Sequence, residues 1–276
     1  RRPYLPRQCA QGEGLLLDRW LGVGLTAAVD WEGRKSEAYA MEIAKGIYNL
    51  GQRRGGHVQA FLVDDGHDLT LIDTLTDDDA RRVLAALRHL GRSPADLKRI
   101  VLTHGHRSHL GGLAALKRMT GATVYAHEWE ADIIAGERRA QPVTFRPTRP
   151  IRTWWRIYHL QLGINFGLKP HVPCPIDVAV SEGDAIGPLQ VLHTPGHSPG
   201  HLAVYWPERR TLIAGDAIAT WPALAAGWPA FNLNPRQERA SLRRMAELEI
   251  AAIGVGHGEP IVRDAAETLG RVVGMA

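Results

Sequence analysis

The chain has 276 residues, enough to bury the core of one large domain. Its formal net charge is +4, and its arginines are scattered along the sequence, so we expect no nucleic-acid partner. The longest apolar run, residues 15–29, is interrupted by Asp18, Arg19 and several glycines. That run is too short and too polar to span a bilayer, and we expect no membrane partner.

The two cysteines, Cys9 and Cys174, support at most one disulfide and match no metal-binding spacing. We interpret them as unpaired, and we therefore expect a reducing, cytoplasmic location. The sequence begins at Arg1 and not at a methionine, so a processed N-terminus is compatible with it.

The first 45 residues are the least regular part of the chain. Apolar spacing at residues 15–21 and the composition of residues 36–45 predict two short helices. We expect residues 1–45 to form an N-terminal extension that packs on the main domain, residues 46–276, or on a partner subunit. A homodimer would cover the hydrophobic side chains of this segment.

Short strands and helices alternate through the rest of the chain. The β-branched and apolar runs predict strands at residues 58–63, 69–73, 100–103, 124–126, 185–192, 201–206, 211–214 and 250–255. The remaining patterns predict helices at residues 77–90, 93–96, 113–119, 127–134, 235–248 and from 264 onward. Because both halves contain strands and helices, we predict an α+β fold, an αββα sandwich of two mixed β-sheets flanked by helices.

A long irregular stretch, residues 142–175, separates the two halves and is rich in proline, arginine and aromatic residues. A stretch of this length between regular elements usually covers something, which predicts a lid-like insertion. Its residues Trp154, Trp155 and Tyr158 would then line a substrate pocket and favour a partly apolar substrate. The alternative is a surface excursion that buries its tryptophans on the core or at a dimer interface.

The densest functional signal is the stretch Thr103–Gly112, whose sequence is Thr-His-Gly-His-Arg-Ser-His-Leu-Gly-Gly. It places His104, His106 and His109 directly after an apolar, β-branched run. A strand that ends in such a turn projects several imidazoles from its tip, and the glycines permit close approach of backbone and metal. Taken alone, the stretch fits either a metal site or three solvated loop histidines.

Three later segments repeat this pattern of a β run that ends in a metal-capable residue beside glycine. They contain His197 in a Thr-Pro-Gly-His turn, Asp216 in a Gly-Asp pair and His257 in a Gly-His-Gly triplet. Together with the His-x-His-x-x-His motif and Asp73 at the end of the second strand, these segments resemble the metallo-β-lactamase superfamily. The resemblance extends from about residue 47 to the C-terminal end.

The resemblance implies a metal centre and a hydrolytic mechanism. It implies a first ion held by three histidines with an open position for water, and a second ion held by two histidines, with an aspartate bridging both. The matching residues are His104, His106 and His197 for the first ion, His109 and His257 for the second, and Asp216 for the bridge. The implied metal is zinc, whose bound hydroxide would attack a carbonyl while the ions stabilise the oxyanion.

Other residues near these motifs receive supporting roles. By the same resemblance, Asp73 would orient the histidine loop through hydrogen bonds. We interpret His201 as structural or as a support for the ligands, and we leave the role of His193 open. The histidines without a motif context are interpreted as surface or packing residues: His57, His67, His89, His127, His159 and His171.

The chain departs from the family pattern at Ser108, where the motif usually has an aspartate. That aspartate ligates the second metal and can accept a proton from the attacking water, and a serine hydroxyl does neither well. Ser108 therefore occupies a catalytic position. The second site could survive with lower affinity, it could be empty, or Ser108 could be an introduced or natural change that alters activity. We favour one firmly bound zinc ion and a second that binds weakly.

The resemblance leaves three functions open. The first is a metal-dependent hydrolase of a small ester-like substrate, a lactone, lactam or thioester, of the lactonase, β-lactamase or thioesterase type. The second is an iron enzyme similar to persulfide dioxygenases, which share the fold and hold one iron with residues matching His104, His197 and Asp216. The third is a catalytically impaired binding protein, against which the other intact ligand positions argue. Nuclease relatives also carry the histidine motif, but this chain has no concentrated basic stripe.

Overall fold

The computed structural model describes residues 40–52, 54–140, 170–228 and 231–275. The first 39 residues and Trp154, Trp155 and Tyr158 lie outside these segments. The expectations for an extension, for a lid and for a substrate pocket in the lid therefore remain predictions. Among the described residues, no helix combines the length and the apolar character needed to cross a membrane.

The first sheet has seven strands, which lie side by side in chain order. They are β1 (Met41–Ala44), β2 (Ile47–Asn49), β3 (Phe61–Asp64), β4 (Leu69–Ile72), β5 (Leu97–Val101), β6 (Thr123–Ala126) and β7 (Val178–Ala179). Neighbouring strands are antiparallel from β1 to β4 and parallel from β4 to β7.

Strand β1 corrects the helix expected at residues 36–45. Gly46 adopts a positive φ of 77°, and the chain reverses there so that β1 pairs with β2 as a hairpin. Hydrogen bonds between the strands of the sheet outweigh the preference of this segment for a helix. The sheet therefore begins before residue 46.

The second sheet has five strands in the order β14-β11-β10-β9-β8. Its strands are β8 (Ala185–Ile186), β9 (Leu189–His193), β10 (Leu202–Trp206), β11 (Thr211–Ile213) and β14 (Ala252–Gly254). Strands β11 and β14 are parallel, and the other pairs are antiparallel. A small antiparallel pair, β12 (Ile218–Ala219) and β13 (Ala225–Ala226), follows β11 in the chain.

Six helices lie among the described residues, and all but the first pack on the outer faces of the two sheets. They are α1 (Arg54–His57), α2 (Arg81–His89), α3 (Leu113–Thr120), α4 (Ala131–Ile134), α5 (Pro235–Met245) and α6 (Ala265–Met275). The start of α5 is set locally, since the Asn234 side chain accepts hydrogen bonds from the backbone N–H groups of Arg236 and Gln237, and Pro235 follows the cap.

Side-chain alternation along the strands separates the core into layers. In β5, Ile100 belongs to the cluster that packs on α2 and α3, whereas Val101 belongs to the cluster between the sheets. The cluster between the sheets joins residues such as Ile72 of β4 to Val204 of β10. A third cluster packs α5 and α6 on the outer face of the second sheet. The predicted αββα sandwich is confirmed.

The cysteine expectation is wrong for Cys174, which is buried and disulfide-bonded. Whether two cysteines can bond depends on their separation in space, and spacing in the sequence does not report it. The expected reducing location loses the support that it drew from unpaired cysteines.

Candidate metal centre

The candidate site lies at one edge of the sandwich, where several strands end. Asp73 follows β4, and Thr103 and His104 follow the parallel neighbour β5. Asp216 follows β11, and His257 follows its parallel neighbour β14. Because parallel strands end at the same edge of a sheet, these loops meet although they are far apart in the sequence.

The first group of potential ligands contains His104, His106, His197 and Asp216. The Nε2 atoms of His104 and of His197 each lie 2.9 Å from Nδ1 of His106. The Oδ2 atom of Asp216 lies 3.7 Å from Nε2 of His104 and 3.3 Å from Nε2 of His197. Three imidazoles and one carboxylate oxygen therefore converge on one point.

The second group contains His109, Asp216 and His257, all buried. Asp216 Oδ1 lies 3.4 Å from Nε2 of His109, and Asp216 Oδ2 lies 3.4 Å from Nε2 of His257. Within each group, the donor atoms lie within 4.8 Å of one another. Asp216 belongs to both groups, so its carboxylate has the geometry of a bridge.

The donor atoms of the second group fit a metal ion, because they are buried and lack other partners. Within the described part of the chain, Nε2 of His109, Nε2 of His257 and both carboxylate oxygens of Asp216 have no hydrogen-bond partner. Leaving buried polar atoms unpaired is costly, and a bound ion accounts for all four. Imidazole nitrogen and carboxylate oxygen are ligands that suit zinc and iron.

The protonation states of the first group also suit a metal. Burial holds the pKa of His104 and His197 well below the usual histidine value, and it lowers the pKa of His106 to about 4. These rings are therefore neutral at pH 7, as metal ligation requires. Asp216 is ionised, because His257, His109 and His197 outweigh its burial and hold its pKa well below the usual range.

His109 differs from the other ligands. Burial disfavours its charged form, but the carboxylates of Asp216 and Asp73 raise its pKa to about 10. A metal ion in the second group must therefore displace a proton from His109.

Asp73 supports both groups from behind the ligands. Its Oδ2 accepts hydrogen bonds from Thr103 Oγ1 at 2.8 Å and from His109 Nδ1 at 2.9 Å, and its Oδ1 accepts one from Thr103 N at 2.8 Å. Thr103 Oγ1 in turn lies 3.0 Å from Nδ1 of His104. Asp73 has a positive φ of 61°, a conformation that aspartate and asparagine tolerate better than most residues. Asp73 therefore contacts His109 directly and His104 through Thr103.

His201 supports Asp216. Its Nε2 accepts a hydrogen bond from the backbone N–H of Asp216 at 3.1 Å, and its Nδ1 lies 2.8 Å from Thr194 Oγ1. Burial lowers the pKa of His201 to about 4, so the ring is neutral and Nε2 is free to accept. His193 belongs to neither group of potential ligands; its Nε2 donates to the backbone oxygen of Pro199, and its ring stacks on His127 at 4.4 Å.

His257 is held by its backbone neighbours and by an aromatic ring. Its Nδ1 donates to the backbone oxygen of Gly56 at 2.8 Å, which leaves Nε2 directed at Asp216. The buried indole of Trp228 stacks on the imidazole at 3.7 Å. At Gly256, a Cβ atom would lie 1.8 Å from Oδ1 of Asp216, so this position must be glycine for the carboxylate to reach the site.

A relay behind His197 was not anticipated from the sequence. His197 Nδ1 lies 3.2 Å from Oδ1 of Asn232, and Asn232 Nδ2 donates to Oε2 of Glu238 at 2.5 Å. Glu238 is buried in α5, and its burial raises its pKa to about 8. Since Oδ1 of Asn232 accepts a hydrogen bond from Nδ1 of His197, Nε2 of His197 remains available as a ligand. Asn232 and Glu238 lie far from His197 in the chain, so no local motif could reveal the pair.

Two further aromatic rings flank the second group. The ring of His57 stacks on the partly exposed Trp221 at 5.2 Å, and Trp221 lies 6.1 Å from Trp228. His57, which the sequence placed among surface or packing residues, therefore contributes to the surroundings of the site. Ser108 is partly exposed within the short 3₁₀ turn Arg107–His109, between two of the potential ligands.

Comparison with known proteins agrees with this geometry. A model of the metallo-beta-lactamase superfamily matches residues 53–257. The probable metallo-hydrolase YflN of Bacillus subtilis is 28% identical over 234 residues, covering 80% of this chain and 86% of YflN. A hydroxyacylglutathione hydrolase of Ruegeria pomeroyi is 28% identical over 174 residues, covering 62% of this chain and 51% of that hydrolase. The crystal structure of a metallo-beta-lactamase family protein from Thermus thermophilus has a TM-score of 0.61 at 26% identity, covering 84% of this chain and 80% of that chain.

The chain therefore belongs to the metallo-β-lactamase superfamily, since the family model spans most of it. The relatives named above include hydrolases, and the described residues contain a His/Asp cluster able to hold metal.

Proposed function

We propose that this protein is a metal-dependent hydrolase that uses water to cleave the bond between the carbonyl carbon and the leaving oxygen, nitrogen or sulfur of a small ester-like substrate, a lactone, lactam or thioester. The observation that carries the proposal is the shared carboxylate of Asp216, which contributes to two buried groups of ligand atoms. Two ions held by one carboxylate are a common arrangement for hydrolysis, because they can stabilise the attacking and the departing oxygen together.

Different residues of the chain would hold the two ions and orient their ligands. His104, His106 and His197 would hold the first ion, and His109 and His257 the second, with Asp216 between them. Zinc bound there would supply a Lewis acid that lowers the pKa of water and polarises a carbonyl oxygen. Asp73 and Asn232 fix the orientation of the rings of His109 and His197.

We infer that the first ion binds firmly and the second more weakly. The first group offers three neutral imidazoles, whereas the second offers two imidazoles, one of which must first lose a proton. Ser108 stands where a carboxylate would complete the second group, and its neutral hydroxyl is a poor ligand for zinc.

The proposed partner is a small molecule. A thioester is supported by the likeness to a hydroxyacylglutathione hydrolase, although this chain spans about half the length of that relative. The partly exposed ring of Trp221 near the second group would favour an apolar portion of a lactone or lactam just as well.

The oligomeric state and the location of the protein are also proposals. The homodimer expected from the sequence stays a proposal. The disulfide at Cys174 favours an oxidising compartment over the cytoplasm.

The test combines metal analysis with a substrate panel. Metal in the purified protein is identified and counted by mass spectrometry, and the zinc-loaded protein is assayed on lactones, lactams and thioesters. His197→Ala should lose the first ion and all turnover, while His67→Ala, at an exposed turn, should retain both. Absence of turnover on every member of the panel by the metal-loaded wild type would refute the proposal and leave the impaired binding protein.

Iron chemistry is the second candidate, because one part of the site has the matching ligand set. His104, His197 and Asp216 form two histidines and one carboxylate around one point, the arrangement used by non-haem iron enzymes. One iron per chain, together with oxygen consumption on a persulfide substrate, would favour this candidate over hydrolysis.

A further inference from the structure

Glu130 is a buried carboxylate that lies close to the metal centre without belonging to either group of ligands. Only 1% of its surface is exposed, and it ends the 3₁₀ turn Glu128–Glu130 that follows β6. Burying an ionised group without partners is expensive, so a carboxylate at this position calls for an explanation.

Three donors surround Glu130, and they come from two different loops. Its Oε2 accepts a hydrogen bond from the backbone N–H of Gly105 at 3.0 Å. Its Oε1 accepts from Ser198 Oγ at 2.7 Å and from the backbone N–H of Gly200 at 2.9 Å. Hydrogen bonds to a carboxylate are stronger than neutral ones, and these three offset part of the cost of burial, which still raises the pKa of Glu130 above the usual glutamate value.

The two loops are those that carry the ligands of the first ion. Gly105 lies between His104 and His106 in the loop after β5, which belongs to the seven-stranded sheet. Ser198 follows His197 in the loop between β9 and β10, which belong to the five-stranded sheet. Each oxygen of Glu130 thus holds one of the two loops, and the carboxylate joins them across the sandwich.

The glycines at these contacts show that the Glu130 side chain packs closely against both loops. A Cβ atom at Gly105 would lie 3.0 Å from Oε2 of Glu130, and one at Gly200 would lie 2.8 Å from its Cγ. Such distances are too short for a side chain, so both loops leave room for Glu130 by carrying glycine.

We propose that Glu130 is a positioning residue for the first ion: it joins the loop of His104 and His106 to the loop of His197, so that the three imidazoles converge before metal binds. The inference rests on the proposed metal site. The gain comes from preorganisation, since ligands already in place lose less conformational freedom on binding.

Glu130→Gln tests this role with little change of shape. A glutamine has one acceptor oxygen and one NH₂ group, so in either orientation at least one of the three donors faces another donor. We expect the affinity for the first ion to fall about 10- to 100-fold, the usual effect of losing a partner behind metal ligands. Ser198→Ala removes one of the three bonds and should cause a smaller fall in the same affinity. Glu128→Gln, an exposed change on the same turn, should leave it unchanged.

The readout is metal binding and not turnover. Zinc affinity is measured by competition with a chelator, and cobalt absorption spectra report the first and second sites separately, alongside urea unfolding of the metal-free protein. Loss of affinity at the first site with the second site unchanged supports the inference, and a lower unfolding midpoint is expected alongside it because one buried donor is left unpaired. Equal zinc affinities of wild type and Glu130→Gln at the first site overturn the inference. An equal loss of affinity at both sites, together with a lowered unfolding midpoint, also overturns it. If Glu130→Gln does not fold, an unchanged affinity in Ser198→Ala overturns it. Wild-type protein that binds no metal refutes the proposed function itself.

Discussion

Asp73 offers a sharp test of how the site is held, because one side chain supports both groups of ligands. Its Oδ2 accepts hydrogen bonds from His109 Nδ1 and from Thr103 Oγ1. Thr103 Oγ1 in turn contacts Nδ1 of His104. Asp73→Asn keeps the size of the side chain, and asparagine also tolerates the positive φ of 61° at this position. The substitution therefore removes an acceptor without forcing the backbone to move.

The expected loss in the free energy of unfolding follows from the number of hydrogen-bond donors that lose their acceptor. If the new NH₂ replaces Oδ2, the hydrogen bonds from Thr103 Oγ1 and His109 Nδ1 are both lost, and if it replaces Oδ1, the bond from Thr103 N is lost. A buried donor left unpaired costs about 1–3 kcal/mol. For a chain of 276 residues, this cost lowers the midpoint of thermal unfolding by roughly 2–5 °C.

The effect on metal binding should be larger at the second ion than at the first. Asp73 contacts His109 directly but reaches His104 only through Thr103. Loss of such a partner weakens metal affinity about 10- to 100-fold, and we expect that fall for the second ion.

Thermal unfolding of the metal-free protein and chelator competition with zinc measure the two effects. The matched control is Asp68→Asn, which weakens one partly exposed ion pair with Arg99 and should cost no more than about 1 kcal/mol. Wild-type affinity for both ions in Asp73→Asn, or a loss confined to the first ion, would show that Asp73 does not orient His109.

Three other changes probe the site from different sides. Ser108→Asp adds a carboxylate between the ligands, so the second ion should bind more tightly and metal analysis should approach two ions per chain. Gly256→Ala places a Cβ 1.8 Å from Oδ1 of Asp216, which should weaken binding of both ions and cost about 1–3 kcal/mol in urea unfolding. Burial raises the pKa of Glu238 to about 8, so the folded protein holds this proton more tightly than the unfolded chain does. The free energy of unfolding of the wild type therefore falls as pH rises from the usual glutamate range toward 8. Glu238→Gln should therefore gain roughly 3–4 kcal/mol in free energy of unfolding relative to wild type between pH 5 and pH 8.

Each of these expectations has a clear contrary result. A count that stays at one ion per chain in Ser108→Asp would mean that the second group does not bind metal even with the added carboxylate. For Gly256→Ala the control is Gly270→Ala in α6, where no described atom lies within 4 Å of the added Cβ, and equal behaviour of the two variants would contradict the steric argument. A stability difference between Glu238→Gln and wild type that stays constant with pH would show that Glu238 titrates normally.

Element bounds show how tertiary contacts modify the sequence prediction. The helix predicted at 77–90 begins at Arg81, because Ala80 takes a left-handed conformation with φ 54° and interrupts the pattern. The strand predicted at 58–63 begins at Phe61, while Val58 forms isolated bridges to Gln52 and His257. Hydrophobic periodicity locates an element, but contacts with distant chain segments decide where it starts.

Some supports of the metal centre could not be read from the sequence. Asn232, Glu238 and Glu130 sit in segments without a recognisable motif, and each reaches a ligand loop that is distant in the chain. Trp221 and His57 likewise meet only in the folded protein. Their roles depend on hydrogen-bond geometry and burial, which appear only when the two sheets pack together.

The αββα architecture could be predicted from local patterns in the chain, and the six potential ligands from the family resemblance that its histidine and aspartate motifs carry. Side-chain alternation specifies which face of each strand is buried, and glycine-flanked histidines and aspartate mark the strand ends. Only the tertiary structure shows the distances between those ligand atoms, which imidazole rings are neutral, and which buried carboxylates hold the loops in place. These properties escape local patterns because ligand geometry and pKa depend on distances between residues remote in the chain, and packing alone sets those distances.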